Sequence, residues 1–395
     1  MFDIIPLKGG LDNVEGFFCG GVHAGFKPNG KNDVAFIRSD KPFLVSAVFT
    51  TNKFQAAPIR HFKKYGETFY SNFLLMNAKN ANAMTGEKGV EDIDALFTKL
   101  PAHLHVKNPI MSSTGVIGYR LNKEKIANAF NLFDFNSKNS DATANAIMTT
   151  DRFKKEICFR VEIEGKQPFH IAAICKGAGM INPAMATMLC FVLTDVRVPQ
   201  SDMKSLLEEV IHTTFNAVSV DGDTSTNDTL MLLSSEKIDS YDRVAFKEAL
   251  RLVANHLALE LVRDGEGSKK VVAFEVKGAL NKEEAEVAAK ALSNSLLVKT
   301  ALFGEDPNWG RIASTIGASR VCCTEETLVI HYDDVLIFGN GRSELDAETE
   351  KKANAVMKKD SYKISCDLGV GSESFTAYGC DLGHEYVSIN ADYRS

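Results

Sequence analysis

Thr187 follows a run of small residues, Cys175-Lys176-Gly177-Ala178-Gly179-Met180-Ile181-Asn182-Pro183-Ala184-Met185-Ala186, and precedes an apolar stretch that begins Met188-Leu189. A threonine hydroxyl is a poor nucleophile at neutral pH and needs a base within reach; the α-amino group exposed by breaking the preceding peptide bond supplies one. With a pKa near neutrality, that amine takes the hydroxyl proton. The same hydroxyl would first attack the carbonyl of Ala186, giving an ester that water opens to free Thr187 as a new N-terminus. Small Ala186 leaves that carbonyl accessible. Read without chemistry, the segment is a Gly/Pro turn between two strands, and Thr187 an ordinary turn or strand residue.

The elements that would position this threonine can be read from pattern. Phe169 to Cys175 has the composition of a buried strand, Gly177, Gly179 and Pro183 then prevent regular structure, and Met188 to Leu193 forms a second strand. Ser201 and Asp202 can cap a helix whose Leu206, Leu207, Val210, Ile211 and Phe215 lie on one face. Phe246, Leu250, Val253, Leu257 and Leu261 mark a second helix, with Gly265 as its stop. Asn281, with Glu284 three residues on, resembles a capping box ahead of a third helix around Ala285 to Leu297. Val271 to Lys277, Thr327 to Tyr332 and Val335 to Phe338 read as strands. Helices and strands alternate without a nucleotide-binding fingerprint, so the expected class is a layered α/β protein.

Composition bounds the function. The chain has 395 residues, 45% of them hydrophobic, which is ample for a core in two lobes or one large layered body. A net charge of −6 with interspersed signs offers neither a basic stripe for nucleic acid nor a polybasic membrane anchor. The N-terminal Met1 to Leu7, interrupted by Asp3 and Pro6, does not read as a secretory signal, and no apolar stretch is long enough to span a bilayer. The eight cysteines contain no Cys-x-x-Cys pair and are expected to be reduced, mostly buried thiols of a cytoplasmic protein. The nine histidines contain no His-x-x-x-His pair, so no zinc site is expected. No fixed-period repeat or low-complexity linker separates the two halves, which should share one core.

Further segments extend the pattern: Val48 to Lys53 with Ala56-Ala57-Pro58, Asn80-Ala81-Asn82-Ala83-Met84-Thr85-Gly86, Ser113-Thr114-Gly115-Val116-Ile117-Gly118, Ala146 to Asp151 and Ser219 to Thr229. Asp264-Gly265-Glu266-Gly267, Lys299 to Arg311 and the tail Glu385 to Ser395 complete the set. With the segment from Lys176 to Leu189, this ordered series closely resembles the ornithine acetyltransferase (glutamate N-acetyltransferase) family of arginine biosynthesis along nearly the whole chain. The resemblance implies sheets stacked face to face and covered by helices, an α-β-β-α sandwich of N-terminal-nucleophile type in two lobes, with Thr187 opening a central strand. It implies self-cleavage into chains 1–186 and 187–395, with a smaller C-terminal lobe from about 280 to 395. Thr187 would then carry an acetyl group from N-acetylornithine to glutamate by ping-pong kinetics, with acetyl-coenzyme A an alternative donor and no cofactor. The cleaved chains would stay associated, as a heterotetramer.

By the same resemblance Thr114 and Gly115 form the oxyanion hole, while Thr150, Lys176, Thr187, Glu266, Asn390 and Ser395 contact substrate. The chemistry is coherent. The tetrahedral intermediate of acyl transfer needs prepositioned donors, which a threonine hydroxyl and an unobstructed glycine N–H provide. Lys176 would meet the α-carboxylate both substrates carry, and Glu266 the side-chain ammonium of ornithine. Without the resemblance, Ser113-Thr114-Gly115 is a turn or cap and Glu266 a solvated loop carboxylate. The chain departs from the family's usual pattern at Ala178, Asn182 and Ala184, where Ser, Ala and Asn are expected. It also departs at Ala78-Lys79, where Ser-Gly is expected, and at Ser395, where threonine is commoner.

Asp221 to Asp228 spaces oxygen ligands like the start of a calcium loop. An EF-hand requires glycine sixth and glutamate twelfth, and Thr226 and Leu232 stand there, so a polar turn near the active site is expected instead. Glu305 to Arg311 is a turn-rich loop in which Arg311 would meet a carboxylate and Trp309 would wall a pocket, or a structural turn anchored by Trp309. Two rivals to acetyl transfer are an amidase or aminopeptidase of similar self-cleaving design, which passes the acyl group to water, and an uncleaved binding or scaffold protein.

Overall fold

The computed structural model describes residues 1–28, 30–182, 188–342 and 344–392. Ala184, Ala186, Thr187 and Ser395 lie outside the described residues. The chain divides into two compact units, residues 1–177, 184–214 and 224–257 in the first, and 178–183, 215–223 and 258–395 in the second.

The first unit holds β1 (Phe2–Leu7), β2 (Phe18–Val22), β3 (Val34–Phe49), β4 (Thr68–Asn77), β5 (Ile110–Ser113), β6 (Lys155–Ile163), β7 (Phe169–Lys176), β8 (Leu189–Val196) and β9 (Thr229–Ile238). They form one sheet in the order β1-β6-β7-β8-β9-β3-β4-β5, with β2 also paired to β3. The apolar run after Thr187 becomes β8, which lies inside this sheet between β7 and a parallel β9. All eight of its residues are buried, as a strand covered on both faces requires.

This sheet folds over on itself. Phe49, at one end of β3, pairs with Thr229 of β9, while Val34, at the other, pairs with Asn77 of β4, itself beside Ser113 of β5. Sixteen residues in an ideal strand would hold those ends roughly 50 Å apart. Yet Asn227, two residues before Thr229, donates from Nδ2 to Ser113 O at 2.8 Å, so β3 must bend, and its register shifts between Arg38 and Phe43. The alternation of β3 shows the resulting layers. Ala35 and Ile37 join Ile174, Phe191 and Leu233 in one buried cluster. Val34 and Phe36 pack on the opposite face against Val90 and Ile93 of the helix Gly86–Phe97 and Ile126 and Phe130 of the helix Lys123–Phe130. Elsewhere the helix Gln200–Ile211 packs on β3 and β9, and Phe246 of the helix Arg243–Arg263 stacks near Phe169 of β7, ring centroids 6.0 Å apart. Helices thus flank a doubled sheet. The inner cluster draws on residues from both sides of position 187.

The second unit carries β10 (Val271–Ala279), β11 (Val329–Tyr332), β12 (Val335–Phe338), β13 (Ser361–Asp367) and β14 (Glu373–Cys380), in the order β12-β11-β13-β10-β14. Ala285, Ala288 and Leu292 of the helix Lys282–Asn294 pack with Val272, Phe274 and Ile364 of this sheet.

Local chemistry explains the differences from sequence expectation. The helix Gln200–Ile211 starts after Pro199 without a side-chain cap, and Phe215 falls beyond it in a 3-10 turn. Asn281 caps its helix by accepting from Glu284 N–H at 2.9 Å. The carboxylate of Glu284 serves Cys322 N–H instead, at 2.9 Å, so the reciprocal half of the capping box is absent. That helix ends at Asn294 rather than Leu297, because Ser295 leaves helical geometry and caps the next helix, Leu296–Phe303. Thr327 precedes its strand because its hydroxyl holds a turn, accepting from Thr324 N–H at 3.1 Å. Six of the eight cysteines are buried free thiols, Cys322 is exposed and Cys323 half-buried. Among the described residues no helix is long and apolar enough to cross a membrane.

Candidate active site

Of the expected residues, Thr114, Gly115, Thr150 and Lys176 belong to the first unit, and Glu266 and Asn390 to the second. Thr114 and Gly115 leave β5 at a crossing with the loop 79–82. There Thr114 N–H donates to Asn77 O at 3.0 Å and Val116 N–H to Lys79 O at 3.3 Å. Gly115 has φ +132°, and an added Cβ would lie 2.2 Å from the Lys79 carbonyl carbon, so the position demands glycine. Opposite it, Lys79 itself takes φ +71°, where the glycine expected from the family would sit unstrained; a lysine there costs about 1 kcal/mol. Asn227 Nδ2 pins the crossing, donating to Ser113 O at 2.8 Å and to Ala81 O at 2.7 Å. Thr114 is buried, and its hydroxyl bonds to none of the described residues; nor does the Gly115 N–H make a hydrogen bond of normal geometry. Among the described residues, neither of these adjacent donors has a partner.

Lys176 ends β7, paired with Leu189 of β8, which pairs in turn with Thr229 of β9. Only 3% of it is exposed, and its ammonium makes no hydrogen bond to a described residue. Burial lowers its pKa, against the opposing pull of Asp151 and Asp228. Asp151 frames this end of the strand: Oδ1 accepts from Gly177 N–H at 2.7 Å and Lys155 Nζ at 2.7 Å, and Oδ2 from Thr149 N–H at 2.8 Å. Burial alone would raise the Asp151 pKa, but Lys155, Lys176 and these donors outweigh it and hold the carboxyl below its ordinary value. One carboxylate thereby fixes the residues flanking Thr150 and Lys176. Lys27 lies within electrostatic reach of Asp151, its pKa lowered by burial to about 8, and it donates to Asn145 O and Ala146 O.

Glu266 and Asn390 meet within the second unit. Glu266 N–H donates to Ala178 O at 2.9 Å, and Asn390 Nδ2 donates to Glu266 Oε2 at 2.6 Å. A Cβ on Gly179 would lie 2.5 Å from that carboxylate, and one on Gly267, which has φ +72°, 2.8 Å from Tyr386 N. Glycines on both sides let the buried Glu266 approach the loop and the helix His384–Ala391. Ala178, where the family has Ser, is buried and contributes its carbonyl to this contact. Asn182 accepts from Asn294 Nδ2 at 3.4 Å.

Asp221, first of the calcium-like series, directs its carboxylate at backbone donors, accepting from Met180 N–H at 2.5 Å and Ile181 N–H at 2.8 Å, and from Tyr386 Oη at 3.3 Å. Burial raises its pKa despite these bonds. No group of three or more His, Cys, Asp or Glu side chains suited to a metal occurs among the described residues. Arg311 donates to Leu297 O at 2.8 Å and Thr300 Oγ1 at 3.2 Å instead of meeting a carboxylate. Trp309 stacks on Phe338 at 4.4 Å, so this loop is the structural alternative. Sequence reasoning missed Asp151, Asn227 and Asp228 as individual site residues. The first closes a motif whose Thr150 drew notice, and the others lie in the stretch read only as a polar turn.

A doubled sheet flanked by helices defines a layered α/β protein. The chain belongs to the ArgJ family, whose sequence profile matches residues 18–395. It is 57% identical over 396 residues to the Arginine biosynthesis bifunctional protein ArgJ of Wolinella succinogenes, covering 100% of both chains. Identity to the protein of the same name from Dehalococcoides mccartyi is 39% over 407 residues, covering 100% of this chain and 99% of that one. To the Glutamate N-acetyltransferase of Methanocaldococcus jannaschii it is 41% over 403 residues, covering 95% and 99%.

Proposed function

We propose that this chain is an acetyltransferase of arginine biosynthesis that moves acetyl from N-acetylornithine to glutamate through an acetyl ester on Thr187. The observation that carries this reading is the Thr114 hydroxyl, bonded to none of the described residues, beside Gly115 and tied by Asn227 to the start of β9, which in turn is bonded to Met188, the neighbour of Thr187. Such donors cost free energy unless an oxyanion uses them.

Thr187 Oγ attacks the Ala186 carbonyl, the C–N bond breaks, and the hydroxyl proton passes to the released nitrogen; water then opens the ester. In the first half-reaction Oγ attacks the acetyl carbon of N-acetylornithine, and ornithine leaves with the proton. In the second, glutamate's amine takes the acetyl group and Oγ recovers a proton. Thr114 and Gly115 hold each oxyanion, Lys176 and Thr150 receive the α-carboxylate end, and Glu266 with Asn390 takes ornithine's ammonium. Ser395 completes the substrate contacts. The fragments remain associated and assemble further, in the cytoplasm, without a cofactor.

The test is incubation with N-acetylornithine and glutamate. Stoichiometric N-acetylglutamate supports transfer; free acetate without it identifies an amidase. A parallel assay with acetyl-coenzyme A and glutamate decides whether a second donor serves, as the names of the bifunctional relatives suggest.

A further inference from the structure

We propose that Lys27 is a positioning residue of the α-carboxylate subsite: its ammonium holds the turn that carries Thr150 and adds the positive charge that, with Lys176, retains a substrate carboxylate. The inference rests on the reading of Thr150 and Lys176 as the residues that meet that carboxylate, and deepens it.

Lys27 lies in the loop between β2 and β3, and its backbone is fastened there. Asp33 Oδ2 accepts from Lys27 N–H at 2.8 Å and Phe26 N–H at 2.6 Å, and Asp33 Oδ1 from Ala24 N–H at 2.6 Å. The side chain then runs to the end of the helix Ser140–Ile147. The last carbonyls of a helix have no partner within it, and Met148 leaves helical geometry here. Lys27 Nζ takes two of them, donating to Asn145 O at 2.8 Å and Ala146 O at 3.0 Å, where the helix dipole also favours a cation. Thr149 and Thr150 follow at once, and Asp151 closes their turn through Thr149 N–H. The ammonium thus fixes one end of the Thr150 turn and a carboxylate the other.

Charge gives Lys27 a second role. It is only 9% exposed, and a lysine so buried is ordinarily paired with a carboxylate. Its printed partners are both carbonyls, because the two carboxylates near it are committed elsewhere among the described residues. Asp33 serves its own loop, with His23 Nδ1 3.4 Å away, and Asp151 serves Lys155, Gly177 and Thr149. Lys31 and Lys176 also lie within electrostatic reach of Lys27. Lys155 adds a further cation beside Lys176, while burial holds the carboxyl of Asp228, also in reach of Lys176, towards its neutral form. The ammonium groups of Lys27, Lys31, Lys155 and Lys176 therefore share the charge of Asp33 and Asp151, and an anion that enters beside Lys176 meets the surplus. Burial lowers the Lys27 pKa to about 8, against the pull of Asp33 and Asp151, so its contribution is present below that pH and lost above it.

The test follows kcat/KM for N-acetylornithine against pH, at saturating glutamate, in the wild type, Lys27→Met and Lys27→Arg, with the α-carboxamide of N-acetylornithine as a second substrate. In the wild type kcat/KM should fall as pH rises through about 8. Lys27→Met should raise KM roughly 10-fold at neutral pH with kcat changed far less, remove that fall, and lower the preference for carboxylate over carboxamide by a similar factor. Lys27→Arg keeps the charge, so KM stays low and the fall moves to higher pH. A fall that is absent from the wild type, or that stays near pH 8 in Lys27→Arg because Lys176 sets it, overturns the proposal. So does an unchanged KM or carboxylate preference in folded Lys27→Met. A wild type that transfers no acetyl, or takes the carboxamide as readily as the carboxylate, overturns the reading of the subsite itself. Should Lys27→Met fail to fold, the position of the fall in Lys27→Arg decides alone.

Discussion

Thr114 is buried at the end of β5, where its N–H is bonded to Asn77 O and its hydroxyl bonds to none of the described residues. In the proposed function that hydroxyl donates to the charge that develops in acyl transfer. Thr114→Ala should therefore slow both fragment formation and acetyl transfer by roughly 100- to 1000-fold, each followed by mass spectrometry and a product assay. Unchanged rates would remove Thr114 from the site. Thr187→Ala should leave the precursor whole and abolish transfer, and a fragment beginning at residue 187 in that variant would defeat the assignment.

At the scale of elements, the loop end of β7 is held by charge. Asp151 and Lys155 are both fully buried at 2.7 Å, and the same carboxylate takes the Gly177 N–H. Asp151→Asn removes a buried carboxylate paired with buried Lys155, so a loss of about 3–5 kcal/mol in urea unfolding at neutral pH is expected. The carboxyl's pKa is lowered in the folded state, so its contribution is complete above the ordinary aspartate value of 3.8 and vanishes as pH falls through the depressed one. The gap between the two proteins should close in that acid range; a constant gap would show that charge plays no part. Patterning made β7, β8 and the long helices legible, because a buried strand and an amphipathic helix write their burial into residue order. The folding-over of the sheet left no such trace. It depends on Asn227 reaching Ser113 across distant sequence, and nothing in a polar turn announces its partner. Read without the resemblance, Glu266 was a solvated loop carboxylate; the structure buries it, in space that Gly179 and Gly267 leave open.

On the scale of the molecule, β8 and β9 lie between strands that precede position 187, and one core contains Ile174, Phe191 and Leu233 together. Purified protein should accordingly give two masses under denaturing conditions, beginning at Met1 and Thr187, yet elute as one species from a sizing column. Fragments that separate under native conditions would contradict the shared core, and a persistent single mass would favour the scaffold reading. The central position of β8 and β9 also orders events in time. On the ribosome the first 186 residues emerge with β7 and β3 each lacking one neighbour, β8 and β9 respectively, and Asn227 has not yet been synthesised. The crossing that Asn227 fastens can therefore close only after the nascent chain has grown past residue 227, and the proposed scission would follow that closure.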